Sequence, residues 1–300
     1  MKSVMVGYKQ SDEARDALVL ARELAKAEDA ELHVAGGFPD GDGPLAGTAD
    51  AYEAACDQHF ETLFAEVEEK LGGMEFVPHE MTLDSAAKGL QKLAEEIEPE
   101  AIVIGSTHRG KVGRLLLGSV GERLLHGAPC PVVVAPRGYA GRAREGIGTI
   151  GVGYDGSDEA RLALASAREW AERFGASVRL IAVVPRFETP RIPGSHDVPY
   201  ERAIEEDLNT ALGEAQSKLG DLASELVIAH GDPAGTLAEQ SADLDLLVIG
   251  SRGYGPVRRV LLGDVSSGVM RSAACPVLVT PRTDAAFSES RATKAVATLV

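Results

Sequence analysis

A glycine-rich run between residues 250 and 265 has the residue types and the spacing best suited to binding a phosphate. Glycine lets backbone N–H groups approach a phosphate closely and turn around it. The run also ends where a helical apolar pattern begins, and a helix N-terminus favours an anion. The spacing of its three glycines therefore predicts a cradle for a triphosphate. The candidate binding residues of this run are Gly250, Ser251, Arg252, Gly253, Gly263, Asp264 and Val265.

A related run between residues 105 and 119 keeps two of these glycines and gains positive charge. With Lys111 and Arg114, its histidine and arginine form a cationic loop that either holds a phosphate or is simply solvated. Both interpretations are open. The candidate binding residues of this second run are Gly105, His108, Arg109, Gly118 and Ser119.

Two of the polar residues in these runs also have an ordinary structural interpretation. Ser119 precedes Glu122 by three positions, which is the spacing of a capping box. Asp264 is a residue type that caps helices well. The sequence therefore leaves a capping role and a ligand role open at both positions.

The two runs belong to a tandem repeat that covers most of the chain. Residues 6–15 and 152–161 are identical at eight of ten positions. The other matching segments are 102–106 with 247–251 and 130–137 with 275–282. Such internal similarity predicts two copies of one domain.

The expected boundaries follow from the repeat and from the composition between the copies. Residues 138–147 are rich in glycine and arginine and lack apolar periodicity, which is typical of a linker. We expect a first domain at 1–137, a second domain at 148–282, and a flexible tail at 283–300.

Short β-branched segments alternate with helical patterns in each copy. In the first helix, Ala14, Leu18, Ala21 and Ala25 recur every three or four residues behind Ser11 as a cap. Five apolar strands separated by four helices predict parallel strands covered by helices on both faces. The predicted fold class is α/β, with two doubly wound, Rossmann-like sheets of five parallel strands. Ligands of such sheets bind at the carboxyl ends of the strands, where the strand order reverses.

The repeat and the glycine spacing together resemble the universal stress protein family over nearly the whole chain. ATP-binding members of that family carry Gly, two residues, Gly, nine residues, and then Gly followed by Ser or Thr. The resemblance implies that Asp155 faces the adenosine end of the ligand and that Val183 contacts adenine. It also implies that the ligand is ATP or another adenine nucleotide, with or without Mg²⁺.

Each copy departs from the family pattern at different positions. The first copy has Lys9, Gly37 and His108 where the family has Asp, Val and Gly, and a lysine offers ribose or adenine no acceptor. The second copy keeps the Asp, the Val and all three glycines, but Asp264 replaces the phosphate-binding Ser or Thr. We therefore expect the second copy to be the main nucleotide site.

The carboxylate of Asp264 leaves three functions open. Two negative charges about 4 Å apart repel by roughly 1 kcal/mol in water and about 4 kcal/mol at an effective dielectric of 20, unless a divalent cation bridges them. The first function is a stress-linked signalling protein that binds a nucleotide and reports to an unidentified protein partner. The alternatives are a nucleotide-free scaffold of the same fold and a slow ATPase.

Other catalytic and metal-binding chemistry has little support in the sequence. Residues 105–112 nearly form a phosphate-binding Walker A loop, but Val112 stands where a hydroxyl must reach Mg²⁺. The histidines and cysteines lack paired ligand spacing, and no nucleophile lies beside a candidate base. The sequence therefore predicts neither a protein metal site nor catalytic residues.

Composition restricts the partners and the location. A net charge of −16, from 30 basic and 46 acidic residues, disfavours nucleic acid and anionic lipid. The apolar runs are too short to span a bilayer, and the N-terminus lacks a signal-peptide pattern, so we expect a cytoplasmic protein. Cys130 and Cys275 precede prolines and apolar runs, as buried small hydrophobes do.

Exposed edges and long loops predict further contacts. The last strand of each copy, 132–135 and 277–280, would leave an apolar edge uncovered, so we expect these strands to pair with each other, as the resemblance also implies. A homodimer is the other expected association. The segments 39–50 and 185–199 are expected to act as lids or partner contacts, or to be plain surface loops.

Overall fold

The computed structural model describes residues 2–37, 49–81, 85–107, 115–142, 146–186, 198–251 and 263–281. The first copy contains β1 (Ser3–Tyr8), α1 (Asp12–Glu28), β2 (Glu31–Gly37), α2 (Ala49–Leu71), β3 (Val77–Met81), α3 (Ala86–Ile97), β4 (Ala101–Gly105), α4 (Ser119–Leu125) and β5 (Val132–Ala135). The second contains β6 (Thr149–Gly153), α5 (Asp158–Phe174), β7 (Ser177–Pro185), α6 (Val198–Lys218), β8 (Ser224–Gly231), α7 (Pro233–Gln240), β9 (Leu246–Gly250), α8 (Asp264–Ser272) and β10 (Val277–Thr280). The predicted alternation of five strands and four helices is confirmed in each copy.

The ten strands form one sheet in the order β3-β2-β1-β4-β5-β10-β9-β6-β7-β8. Neighbouring strands are parallel within each copy, and β5 and β10 are antiparallel where the copies meet. Val277 pairs with Val134 and Val279 with Val132, all fully buried. The predicted α/β fold and the predicted pairing of the last strands are confirmed, and this pairing joins the two five-stranded sheets into one.

Helices cover both faces of the sheet, as expected for a doubly wound fold. One core cluster contains side chains of α1, α2, α5 and α6, and the other contains side chains of α3, α4, α7 and α8. The apolar stripe predicted for α1 is buried against the first of these faces. The strand order reverses between β1 and β4 in the first copy and between β6 and β9 in the second.

The first helices of the two copies begin in the same way. Ser11 accepts a hydrogen bond from the N–H of Ala14 at 3.3 Å, and Ser157 accepts one from the N–H of Ala160 at 3.2 Å. Each side chain thereby satisfies one of the unpaired N–H groups of the first turn. Both helices start directly after the loop in which the sequence places a candidate site.

The segment between the copies is docked onto α1. Asp16, which is 3% exposed, accepts hydrogen bonds from the N–H groups of Gly138 at 2.7 Å and Ala140 at 2.8 Å. The hydroxyl of Tyr139 is buried and donates to Glu23 at 2.6 Å. Burial raises the pKa of the Asp16 carboxyl, and the two N–H donors oppose that shift. The connection is therefore clamped by the first copy.

Two further contacts join the copies beyond the strand pair. Arg173 on α5 forms an ion pair with Glu100, which precedes β4, at 2.6 Å. The N–H of Leu115 donates to the carbonyl of Ala273, the residue that follows α8, at 2.9 Å.

Among the described residues, no helix is long and apolar enough to cross a membrane.

Candidate functional site

The candidate site of the second copy lies at the carboxyl ends of β6, β7 and β9. Val152 pairs with Val248, so β6 and β9 end side by side, and the N–H of Tyr154 continues the pairing to the carbonyl of Ile181 on β7. Asp155 follows directly. The site therefore lies at the carboxyl ends of the strands, at the point where the strand order reverses.

Gly250 ends β9 where two helices approach the strand. A Cβ atom on Gly250 would lie 2.6 Å from the carbonyl oxygen of Glu159, in the first turn of α5. The hydroxyl of Ser266, in the first turn of α8, donates to the carbonyl of Gly250 at 2.9 Å. The starts of α5 and α8 therefore meet at the end of β9, which brings Asp155, Gly250 and Asp264 to one region.

The same close approach occurs at Gly105 in the first copy. A Cβ atom there would overlap the carbonyl oxygen of Glu13 in α1. The first glycine of each run is therefore required by helix packing, whether or not a ligand is bound. This structural demand was not anticipated from the sequence, where both glycines were assigned to phosphate binding.

The serine after each of these glycines is bonded differently in the two copies. The hydroxyl of Ser106 donates to the carbonyl of Leu116 at 3.1 Å and accepts from its N–H at 3.0 Å, which closes the loop. Ser251 is 1% exposed, and its hydroxyl has no hydrogen-bond partner among the described residues. Leu261, at the position matching Leu116, lies outside them. A buried hydroxyl needs a hydrogen-bond partner, so Ser251 is a candidate either to bond within its own loop, as Ser106 does, or to receive a ligand group.

The starts of α4 and α8 contradict the capping interpretation of Ser119 and Asp264. Gly118 and Gly263 are the N-cap residues, both with extended backbone and neither with a side-chain capping bond. Ser119 and Asp264 are instead the first helical residues, and both are exposed. In both helices the last residue with extended backbone is the glycine, so the N-cap falls one residue before the polar side chain. Both side chains therefore remain available to solvent or to a ligand.

Asp155 is held in a short turn. Its Oδ1 accepts from the N–H of Ser157 at 3.0 Å and from the hydroxyl of Ser157 at 2.5 Å. Gly156 between them has φ of +79°, a conformation that is costly for residues with a Cβ. Oδ2 accepts no hydrogen bond from the described residues and Asp155 is exposed, so one carboxylate oxygen can accept a bond from a ligand.

The matching turn of the first copy has a different conformation. Lys9 stands at the position of Asp155 and Gln10 at that of Gly156, and the N–H of Ser11 donates to the carbonyl of Lys9 at 2.7 Å. Gln10 is not among the described residues with positive φ. The two copies therefore differ here in backbone shape as well as in charge.

A carboxylate on α2 fixes this first turn, a feature that the sequence analysis missed. Glu66 accepts from the hydroxyl of Tyr8 at 2.9 Å and from the amide of Gln10 at 3.0 Å, and it pairs with Lys70 at 2.9 Å. The bonds from Lys70 and Tyr8 lower the pKa of Glu66, and burial and Glu66 raise that of Tyr8. The residues on both sides of Lys9 are thus tied to α2.

The adenine-side position also differs between the copies. Val183 on β7 is partly buried and packs against the apolar cluster that includes Val269, as does Val265. A Cβ atom on Gly37, its counterpart on β2, would meet nothing within 4 Å. His59 on α2 lies nearby, with Nε2 3.2 Å from the carbonyl oxygen of Gly37. The second copy therefore offers an apolar wall that the first copy lacks.

A histidine pair couples β2 to the edge strand β3 in the first copy. Nδ1 of His33 lies 2.8 Å from Nε2 of His79, and Nε2 of His33 lies 3.1 Å from Glu31. Burial and His33 lower the pKa of His79, while Glu31 and Glu96 oppose that shift. Among the described residues, no group of three potential ligands is arranged to hold a metal ion.

Several predicted features lie outside the described residues. They are His108, Arg109, Arg252 and Gly253 of the candidate sites, residues 39–48 and 187–197 of the predicted lids, and the tail from 283 onward.

Comparisons with known proteins establish the family. The model of the universal stress protein family matches residues 1–136 and again residues 146–281. The universal stress protein Rv2005c of Mycobacterium tuberculosis is 34% identical over 182 residues, which cover 61% of this chain and 62% of that protein, less than two thirds of its length. A second protein of that organism, the universal stress protein Rv2319c, is 28% identical over 295 residues, covering 93% of this chain and 99% of the relative. The chain belongs to the universal stress protein family and carries its domain twice.

A solved structure shares the tandem architecture. A universal stress protein from Archaeoglobus fulgidus aligns with a TM-score of 0.65 over 93% of this chain and 97% of its own, at 21% identity. At this identity the likeness concerns the fold.

Proposed function

We propose that this protein binds ATP or another adenine nucleotide in its second copy and that it transmits the bound state to a protein partner. The first copy keeps the fold without the same ligand chemistry. The protein partner, a homodimer and a cytoplasmic location remain predictions from the sequence.

The observation that carries this proposal is a pair of polar groups at the carboxyl ends of β6 and β9 in the second copy. Asp155 has one carboxylate oxygen without a partner among the described residues, and the buried hydroxyl of Ser251 has none there. A ribose hydroxyl or an adenine amino group can donate to the carboxylate, and a phosphate oxygen can accept from the serine. Both groups lie at the ends of adjacent strands, where ligands of this fold bind.

The N-terminus of α8 adds electrostatics suited to a phosphate held through a cation. The dipole of this nine-residue helix favours an anion at Gly263. Asp264, the next residue, repels a phosphate that carries no cation. A divalent cation would be attracted by the carboxylate of Asp264 and by the phosphate. We therefore propose that the ligand binds with Mg²⁺ or carries few phosphates. A slow ATPase, which would need a positioned water and a metal, remains a prediction from the sequence.

The scaffold alternative is favoured by the first copy alone. Lys9 supplies no acceptor and Gly37 supplies no apolar wall, while Ser106 is already bonded within its own loop. These features suit a domain whose main contacts are with its neighbours. A scaffold role for the first copy is compatible with nucleotide binding in the second.

The test is a calorimetric titration of the full chain with ATP, with and without Mg²⁺. Asp155→Ala removes the acceptor, and we expect its affinity to fall about fivefold to a hundredfold, which corresponds to roughly 1–3 kcal/mol. Lys9→Ala is the matched control in the first copy and should leave the affinity unchanged. Equal affinities for wild type and Asp155→Ala, or no binding of ATP, ADP or AMP by the wild type, would overturn the proposal.

A further inference from the structure

We infer that Ser157 is a positioning residue that sets the rotamer of Asp155 for the ligand. The inference rests on the proposed function, because it assigns a role within the same nucleotide site. Its basis is the bonding of the serine, which differs from that of its counterpart in the first copy.

Ser157 makes three hydrogen bonds through its hydroxyl and its N–H at the start of α5. Its hydroxyl accepts from the N–H of Ala160 at 3.2 Å and donates to Oδ1 of Asp155 at 2.5 Å. Its own N–H donates to the same Oδ1 at 3.0 Å. The hydroxyl therefore links the rigid first turn of the helix to the carboxylate.

This arrangement assigns different tasks to the two carboxylate oxygens. Oδ1 receives both bonds from Ser157, which fixes the side-chain torsion of an otherwise exposed residue. Oδ2 is then presented in one direction, so ligand binding need not include the entropic cost of ordering the side chain. Gly156 makes the turn accessible, because its φ of +79° is strained for any other residue type.

In the first copy, the serine that matches Ser157 caps its helix but has no carboxylate to position. Ser11 accepts from the N–H of Ala14 at 3.3 Å, so it caps α1 as Ser157 caps α5. The residue two positions before it is Lys9, whose side chain cannot accept a hydrogen bond. The loss of the Ser11 hydroxyl therefore removes a cap and nothing else at the site.

The experiment compares Ser157→Ala with Ser11→Ala in the full chain. Both variants lose one helix cap, so their thermal midpoints should fall by similar amounts. ATP affinity, measured with Mg²⁺ present, should fall about fivefold in Ser157→Ala, the net contribution of one hydrogen bond, and stay at the wild-type value in Ser11→Ala. Ser157→Thr retains the hydroxyl and should retain most of the affinity.

A measurement without nucleotide separates this inference from the proposed function. In the wild type, the three-bond coupling between the backbone nitrogen and Cγ of Asp155 should report a single rotamer. In Ser157→Ala only the backbone N–H bond to Oδ1 remains, and the coupling should shift towards an average over several rotamers. An ordered Asp155 in Ser157→Ala, or equal affinities for Ser157→Ala and Ser11→Ala, would overturn the positioning role while leaving nucleotide binding intact. No ATP binding by the wild type, with the rotamer change present, would instead overturn the proposed function.

Discussion

The turns after β1 and after β6 follow the same three residues, Val-Gly-Tyr, and then differ in sequence. Both turns lead to a serine that caps a helix. In the second copy, Gly156 lets the chain adopt a positive φ and Asp155 bonds to the capping serine. In the first copy, Gln10 is bonded to α2 instead.

This difference shows that two copies of one domain can keep every element of the fold while the turns at their candidate sites differ in sequence and in backbone shape. The candidate-site residues that differ lie in loops, at helix starts and towards the carboxyl ends of β2 and β7. The residues that stayed, such as Gly105 and Gly250, satisfy packing demands common to both copies. The copies are therefore equal in architecture and unequal in chemistry.

The largest effect should come from the clamp formed by Asp16 in the first copy, whose matching position in the second copy is Leu162. Asp16→Ala leaves the N–H groups of Gly138 and Ala140 without their acceptor. Bonds to a charged group contribute about 1.5–3 kcal/mol each, so we expect a loss of about 3 kcal/mol in the free energy of unfolding, measured with urea. Asp12→Ala, at an exposed position on the same helix, should cost under about 1 kcal/mol. Equal losses would show that the clamp contributes nothing.

The next largest effect should be a loss of stability in either copy when the glycine that ends its fourth strand is replaced by alanine. Gly250→Ala places a methyl group 2.6 Å from the carbonyl oxygen of Glu159, and Gly105→Ala meets Glu13 more closely still. Overpacking of this kind costs about 1–3 kcal/mol, and the denaturation midpoint should fall in both variants. Gly37→Ala has open space and serves as the control, with stability unchanged or slightly raised. Unchanged stability in Gly105→Ala would mean that this glycine is retained for a ligand rather than for packing.

A smaller effect, on nucleotide affinity, should come from Asp264, the residue at which the second copy departs from the family pattern. Asp264→Ser gives it the residue that the first copy has at Ser119. Affinity for metal-free ATP should rise about tenfold, because roughly 1–4 kcal/mol of repulsion is removed, and low ionic strength should enlarge the gain. Affinity for the magnesium complex should fall if the carboxylate holds the cation. Calorimetry that finds equal affinities under both conditions would place Asp264 away from the phosphates.

The smallest effect should be a pH dependence of the edge strand β3 in the first copy. Burial lowers the pKa of His79 below its ordinary 6.5, so the folded protein prefers the neutral ring and the unfolded chain binds the proton more readily. Stability is therefore complete above about pH 6.5 and falls as the pH drops towards the lowered pKa. Because the ring is only partly buried, we expect a loss of under about 1 kcal/mol.

Amide hydrogen exchange can localise this pH dependence. Protection of β3 should weaken between pH 7 and pH 5 in the wild type. The variant His79→Gln lacks the titrating ring and should not show this change. Equal pH dependence of β3 in the wild type and in His79→Gln would contradict the assignment.

Much of the fold was predictable because it depends on periodic apolar patterns. The stripe that contains Ala14 and Leu18 is buried, and the pairing of 132–135 with 277–280 followed from two uncovered apolar edges. The capping roles of Ser119 and Asp264 were wrong by one position. The residue type does not fix the helix start when the preceding glycine can itself adopt the cap conformation.

Other features depend on contacts distant in sequence and could not be predicted from patterns. The partners of Asp16 and Glu66 lie far along the chain, and no local motif marks them. One signal was available in the repeat itself, because Asp16 aligns with Leu162 and Gln10 with Gly156. Positions at which one copy has a polar side chain and the other an apolar residue or a glycine indicate where the copies make different contacts.

We propose that adenine nucleotide binds to the second copy because of its Asp155–Gly156–Ser157 turn. Native mass spectrometry of the full chain with ATP and Mg²⁺ tests this most directly, because it counts the nucleotides bound to each chain. We expect one nucleotide per wild-type chain and none in the variant that combines Asp155→Lys with Gly156→Gln, which gives the second copy the turn of the first. Two nucleotides on the wild type, or one retained by the double variant, would contradict it.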